Sequence, residues 1–391
     1  MREIRINPFY CLAIFYLAVN FFYSMVGYNS GEMEIEFQRK AIDNISFIYA
    51  FVFQLISMLI ILLIYIFLFK KTKSQDNFKL SNKVGFFLFS GQLLYFLLNM
   101  YFGANIAGDN SSYKGNSLIN IFFILLPFDI LFFILGVCLK SSRLFFINSI
   151  LYLISNLVRG WMGAPLLLLF AILCRQEYIR LNIKNIVFLL SFFVFIVLFS
   201  PYLMELKWLV RSGGEDVDII DNVSNYGYLN YLSESIDYIF NRFQHVGHVA
   251  LILDNSEYLG LKYSNDFFVY FWAEGLPQTI FMNLFNLDSF TTFSRFVTVY
   301  LFHVSPSQSW TVNVGMAGWF FILGYNVVFY LLYLILILIF PLYFVAKYAN
   351  RKLFLLLSIF SIFYLFHGWF YAYFTFAMYM IIVIFLCRVK I

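Results

Sequence analysis

The chain has 391 residues, of which 62% are hydrophobic, 23% aromatic and 12% charged, with 53 Phe, 29 Tyr, a mean hydropathy of +0.81 and a formal net charge of +5. Soluble domains carry about 25% charged residues and about 45–50% apolar ones, so this chain has too little charge to cover a water-facing surface. The bilayer is its solvent, which excludes nucleic-acid-binding domains, disulfide-rich secreted folds and cytosolic enzymes, and makes the net charge a matter of topology.

Only helices and closed barrels satisfy every backbone group in lipid, and the apolar runs here are continuous instead of alternating, so an all-α polytopic membrane protein is expected. At about 20 apolar residues per crossing, ten spans are predicted in chain order: 9–27, 45–69, 84–107, 118–139, 144–158, 161–174, 186–206, 314–346, 353–367 and 371–387. No small-residue cleavage site follows the apolar core of the first, which reads as a retained span. An even number puts both termini on one face. That face collects 17 basic residues, among them Lys70, Lys71, Lys73, Lys79 and Lys83, against the three acids Glu3, Asp76 and Glu177. The opposite face holds nine basic and 17 acidic residues, with Asp129 inside the fourth span. Short cytoplasmic loops carry the Lys/Arg excess, so both termini are expected in the cytoplasm. Cys11, Cys138, Cys174 and Cys387 fall at cytoplasmic helix ends, where thiols stay reduced. With no CxxC pattern and no Cys/His cluster, a metal is not expected.

Two stretches depart from a plain bundle. The first is 144–174, too long for one span and short for two, with Arg159-Gly160 at its middle and Gly163 and Pro165 just beyond. Half-spans of this length reach only about 22 Å, so the turn is expected below the outer headgroups and Arg159 in or near the membrane. An intramembrane arginine is a functional candidate unless it snorkels to lipid phosphates. The second is a large external loop, 207–311. It opens on an acidic run that ends at Asp221. An amphipathic, interfacial helix follows over 226–253, with Leu232, Ile236, Ile239, Phe243, Val246 and Ala250 at near-helical spacing. The apolar stretch 267–287, interrupted by Glu274, Gly275 and Pro277, is expected to be re-entrant or surface-lying.

External cations are few, so each is informative. Arginine holds a phosphate through two parallel hydrogen bonds that lysine cannot copy, and Arg159, Arg211, Arg242 and Arg295 form the natural set for a lipid-linked diphosphate. The competing reading is ordinary pairing with acids such as Glu215, Asp216 or Asp237. Arg242, His245 and His248 stand at i, i+3 and i+6, and a histidine of near-neutral pKa can take the proton of an attacking sugar hydroxyl. The same spacing can hold a metal, though no third ligand lies nearby in sequence, and water-satisfied interfacial histidines remain the plain alternative. His303 and His367 are further candidates. Asp216-Val217-Asp218 has the form of a nucleotide-sugar DxD motif but sits in an acidic run, where a solvated loop is the simpler reading. Glu32, Glu34 and Glu36 lie where one class of membrane glycosyltransferase keeps its acidic catalytic residue, yet such alternation on a short loop also describes polar surface. No P-loop, GxSxG or HExxH pattern is present.

Val158-Arg159-Gly160, Asn241-Arg242-Phe243, Ser305-Pro306-Ser307 and the string Asn313-Val314-Gly315-Met316-Ala317-Gly318, together with many spans and one large loop late in the chain, resemble the O-antigen polymerase (Wzy) family. These are oligosaccharide repeat-unit polymerases of the C-type glycosyltransferase class. The family's proline-rich segment is reduced here to Gly275-Leu276-Pro277. The resemblance implies an inner-membrane enzyme with 207–311 in the periplasm, joining repeat units carried on undecaprenyl diphosphate, without metal, cofactor or nucleotide. It gives Arg159 and Arg242 the diphosphate, Arg211 or Arg295 a supporting role, and His248 or His245 the acceptor hydroxyl. Lipid-linked oligosaccharides are the implied partners, with a flippase and a chain-length regulator beside them. Tyr226, Tyr228, Tyr231, Trp272 and Trp310 are candidates for stacking on sugars. A flippase for the same lipid-linked repeats would line a path with charge on several spans and show inverted repeats, of which none is found. An O-antigen ligase would share nearly all of this physics.

Overall fold

A computed structural model of the chain describes residues 4–36, 38–72, 80–107, 114–211, 223–225, 227–285, 291–305 and 311–389. The Asp216-Val217-Asp218 string, Tyr226, Pro306-Ser307, Trp310 and the terminal and loop charges Glu3, Lys73, Asp76 and Lys79 lie outside them.

The first half runs β1 (Ile4–Ile6), α1 (Pro8–Ser30), β2 (Glu32–Ile35), β3 (Gln38–Ala41), α2 (Asn44–Phe69), α3 (Asn82–Phe102), α4 (Ser117–Leu125), α5 (Phe128–Gly136), α6 (Ser142–Val158), α7 (Ala164–Gln176), β4 (Ile179–Leu181) and α8 (Ile183–Arg211). The second half runs α9 (Tyr228–Phe243), α10 (Val246–Asp254), α11 (Ser256–Ser264), α12 (Leu276–Leu284), α13 (Phe293–Leu301), α14 (Gly315–Ile322), α15 (Val327–Tyr348), α16 (Arg351–His367) and α17 (Phe370–Val389). β1 pairs antiparallel with β4, and β2 with β3.

The long apolar helices make this a multi-pass membrane protein. Among the described residues, seven helical stretches are long and apolar enough to cross a bilayer, and α6 and α7 are shorter apolar helices. The segments expected at 144–158, 161–174 and 353–367 thus form helices too short to count by length. The expectation of one span over 314–346 is corrected: α14, a single 3-10 turn at Gly324–Asn326 and α15 replace it. One helix over that range would rise about 50 Å against a hydrocarbon core of about 30 Å. Gly324, at φ +52, supplies the left-handed backbone for the break. The fourth expected span is also divided. Pro127 lacks an N–H and drives Leu126 out of helical backbone, so α4 ends there and α5 starts beyond it.

The chain divides into two compact units, each discontinuous in sequence: Met1–Pro8 with Gln75–Ile239, and Phe9–Ser74 with Phe240–Ile391. In the first unit α3 packs against α5 and α6. Asn148, fully buried on α6, shows how an apolar interior keeps its polar groups satisfied. Its Nδ2 donates to Leu144 O at 2.7 Å and Gly85 O at 3.2 Å, while its Oδ1 accepts from Gln92 Nε2 at 2.8 Å. Gly91 lets α3 and α5 approach: a Cβ there would lie 1.9 Å from Phe128 Cε1.

The second unit is built around α16, of whose 17 residues 14 are buried. A helix apolar all round belongs in an interior, and α2, α14, α15 and α17 enclose this one. Its serines satisfy themselves, Ser358 and Ser361 Oγ donating to Phe354 O and Leu357 O one turn back. α16 ends at Gly368 (φ +81), whose missing Cβ would lie 2.8 Å from the backbone nitrogen of Gly315 (φ +67), so two chain reversals touch main chain to main chain. α10 lies against α2 and α14. Asp254 at its end receives Asp43 N at 2.8 Å and Ser46 Oγ at 2.5 Å, placing an anion at the N-terminus of α2.

Gly91→Ala is expected to force α3 away from α5 or displace the Phe128 ring, at a cost of about 1–3 kcal/mol. Thermal melting of the detergent-solubilised variant checks this; a melting curve matching wild type would mean the ring gives way freely.

Candidate functional site

Within the second unit, three of the chain's four histidines converge beside a carboxylate and an arginine. The site begins with α1. Asn20 is buried on it, and its carboxamide bridges the ends of two other helices. Nδ2 donates to Phe243 O at 3.0 Å, the last carbonyl of α9, and to Tyr16 O at 2.8 Å. Oδ1 accepts from His245 N at 2.7 Å and Val246 N at 3.1 Å, where α10 starts. Gln244 Oε1 takes a further free donor, Gly247 N, at 3.2 Å. These bonds satisfy the backbone groups that a helix end exposes. The single amphipathic helix expected over 226–253 is therefore corrected to two helices, with Gln244 and His245 between them. Arg242 lies in the last turn of α9, His245 caps α10 with non-helical backbone (φ −126, ψ 0), and His248 sits in the first turn of α10.

The β2–β3 hairpin brings the acid. Ile35 pairs with Gln38, and the turn between them carries Glu36 at φ +46. Along β2 the side chains alternate, Met33 and Ile35 inward and Glu32 and Glu34 outward. The inward pair covers Gly247 of α10, where a Cβ would meet Met33 Sδ at 2.7 Å and Ile35 Cγ1 at 3.1 Å. The hairpin thus lies flat on the first turn of α10, and its turn directs Glu36 at that helix. Glu36 Oε1 is 3.4 Å from Arg242 Nη1 and 3.6 Å from His248 Nε2, and its side chain is 11% exposed.

Deeper lie the other two imidazoles. The His245 and His367 rings meet edge to face with centroids 4.0 Å apart, and His248 lies 6.0 Å from His245. His367 Nε2 bonds Tyr16 Oη at 2.7 Å. Among the described residues, neither ring nitrogen of His245 or of His248, nor Nδ1 of His367, has a hydrogen-bond partner. Burial, reinforced by His367, His248 and Arg242, pushes the His245 pKa well below the usual imidazole range, so this ring stays neutral. His248 differs in having the Glu36 carboxylate at its Nε2 edge. No group of three His, Cys, Asp or Glu among the described residues is arranged to hold a metal ion.

α13 flanks the site and is held at both ends by charge of the sense its dipole favours. At its N-terminus Glu274 Oε1 accepts from Phe293 N at 3.0 Å, and Thr292 Oγ1 caps Arg295 N. At its C-terminus Lys40 Nζ donates to Leu301 O at 2.9 Å and Gln38 Nε2 to Phe302 O at 3.1 Å, both from β3. The Phe302 ring that follows lies 6.4 Å from the His248 ring.

The remaining sequence candidates are placed as follows. Arg295 lies in the first turn of α13 and donates through Nη2 to Ser305 O at 3.3 Å. Arg211 is the last residue of α8. Arg159 belongs to the first unit and is 1% exposed. Its Nη2 lies 2.7 Å from Asp129 Oδ2, its Nε donates to Ser155 O at 3.0 Å, and its guanidinium faces the Tyr95 ring. Asn156 Nδ2 reaches the other oxygen of Asp129 at 3.3 Å. His303 is exposed at φ +56. Sequence reasoning missed Asn20, Tyr16 and Lys40, and weighed Glu36 as surface. Only the count of histidines and the polar Asn20 within an otherwise apolar span could have pointed to them.

Comparison of the chain with family models, with curated proteins and with solved structures finds no match in any of the three.

Two outcomes follow for the groups just described. Asp129→Asn removes the countercharge of a fully buried guanidinium and is expected to cost about 3 kcal/mol, much of it recovered in Arg159→Met/Asp129→Asn, as a melting-based double-mutant cycle would read. Burial pushes the Glu274 carboxyl up to about 7. Its folded-state pKa is above its unfolded value, so the stability it contributes is complete below about pH 4.5 and is lost as pH rises through about 7. Melting curves of wild type should fall across that window, and those of Glu274→Gln should fall less.

Proposed function

We propose that the chain is an O-antigen polymerase, a C-type glycosyltransferase that joins undecaprenyl-diphosphate-linked oligosaccharide repeat units on the periplasmic face of a bacterial inner membrane. The observation that carries this reading is the set Arg242, Glu36 and His248: a cation for a diphosphate, beside an imidazole that a carboxylate can orient. In this reading both termini are cytoplasmic and the stretch 207–311 faces the periplasm.

The acceptor sugar hydroxyl gives its proton to His248 as its oxygen attacks the anomeric carbon of the donor chain. The bond from that carbon to the diphosphate breaks, and the electron pair leaves with the undecaprenyl diphosphate. Arg242 meets the charge that develops there, where a fixed cation acts most strongly. Glu36 steadies the imidazolium so formed. Of the two histidines, His248 is the base, because burial keeps His245 from taking a proton. Arg295, in the same unit, is a supporting cation, whereas Arg159 and Arg211 belong to the other unit. The lipid-linked glycan is the substrate; a flippase that delivers it and a regulator of chain length are the partners this reading calls for.

Deletion of the gene and electrophoresis of the surface glycan test it. Lipid A-core carrying a single repeat is the expected product. No repeat at all indicates a ligase, accumulation of repeats inside indicates a flippase, and a full ladder overturns the proposal. His248→Gln and Arg242→Lys are each expected to lower polymer yield at least about 100-fold at unchanged membrane levels, the scale of a lost general base or charge-stabilising donor. His245→Gln should lower it less.

A further inference from the structure

Between α11 and α12 lies a group of side chains that the reaction above does not use. Asp266 follows α11 at φ +59, a left-handed conformation that aspartate accepts more readily than bulky residues. Tyr270 Oη donates to Asp266 Oδ1 at 2.5 Å. Two residues further, the indole of Trp272 is parallel to the Tyr270 ring within 6°, with centroids 5.8 Å apart. Both rings are exposed, 39% and 47%, whereas Phe268, Val269, Phe271, Ala273 and Glu274 around them are buried. The backbone beneath is anchored, since Val269 N donates to Thr291 O at 2.9 Å and Glu274 Oε1 holds Phe293 N. Lys262 Nζ, 4.1 Å from the Phe267 ring centroid, adds a cation to the same stretch.

We propose that Tyr270 and Trp272, with the Asp266 carboxylate beside them, form a binding subsite for a pyranose ring of the glycan substrate. A sugar presents an apolar C–H face and a rim of hydroxyls. Parallel aromatic rings suit the face. A carboxylate has about four acceptor positions, of which Tyr270 occupies one, so Asp266 can accept from neighbouring sugar hydroxyls. Tyrosine and tryptophan also gather at membrane interfaces, where their polar tips meet headgroups. Here the Tyr270 hydroxyl is given instead to an anion, which headgroup phosphates repel, and interfacial anchors gain nothing from mutual alignment. The subsite rests on the polymerase reading for the identity of its substrate, while its geometry stands apart from Glu36, Arg242 and His248.

The test uses the full chain in lipid nanodiscs and the methyl glycosides of glucose, galactose, rhamnose and N-acetylglucosamine as probes, read by saturation-transfer NMR. Saturable transfer to at least one glycoside is expected, weakened about tenfold by Trp272→Ala, retained in Tyr270→Phe and unchanged in His248→Gln. No saturable transfer to any of the four, or transfer that survives Trp272→Ala, overturns the subsite. Emission of Trp272, taken as wild type minus Trp272→Phe, that brominated lipid quenches and glycosides leave unchanged also overturns it and assigns the pair to the membrane interface. If His248→Gln keeps a full glycan ladder while Trp272→Ala still loses glycoside binding, the reaction fails and the subsite stands. The reverse pattern fails the subsite alone.

Discussion

One carboxamide holds the second unit together at its most demanding point. A helix interrupted inside an apolar protein exposes carbonyls on one side of the break and N–H groups on the other, and no solvent is at hand to take them. Asn20 has one donor end and one acceptor end, and it presents each to the side that needs it. The bend between α9 and α10 follows from this, and so does the separation of Arg242 from His248. On a continuous helix the three polar groups would have shared one stripe. With the break, Arg242 and His248 flank Glu36 while His245 turns inward toward His367.

Elsewhere the interior treats polar groups differently. Asn148 on α6 has both ends of its carboxamide matched, and Arg159 pairs with Asp129, which Asn156 also reaches, as burial favours. The three imidazoles concentrate the opposite case: among the described residues five of their six ring nitrogens have no hydrogen-bond partner, as do atoms of scattered side chains such as Gln54, Ser155 and Trp319. Each such atom costs about 1–3 kcal/mol when buried. At 245, 248 and 367 such atoms are gathered into one cluster, beside Glu36 and Arg242.

Much of the fold was legible because lipid imposes simple rules. Long apolar runs became helices, and Pro127 and Gly324 broke those that ran on too far. Of the site, Arg242, His245 and His248 were legible, being scarce polar groups in one short stretch. Their arrangement was not, since the residue that breaks the helix between them, Asn20, lies more than 200 positions earlier. Glu36 was hidden for a related reason. The alternation of Glu32 and Glu34 on β2 describes a polar face, and only the turn, which reverses the strand after Ile35, carries the third acid inward. Arg159 read as an intramembrane cation for a diphosphate, because its countercharge, Asp129, belongs to a different helix.

The bond between Tyr16 and His367 joins residues 351 positions apart. A ribosome adding about 5–20 residues each second needs roughly 20–70 s to cover that distance. For roughly the first two thirds of that interval Asn20 and Glu36 also lack their partners at 242–248, and Tyr16 lacks His367 throughout. The early hairpin of α1 and α2 therefore waits in the membrane with its polar groups unmatched, and it is completed only when α16 arrives. The histidine cluster can close only after α16 is made, so a chain cut short before its final two helices retains membrane spans but lacks His367 and its bond to Tyr16.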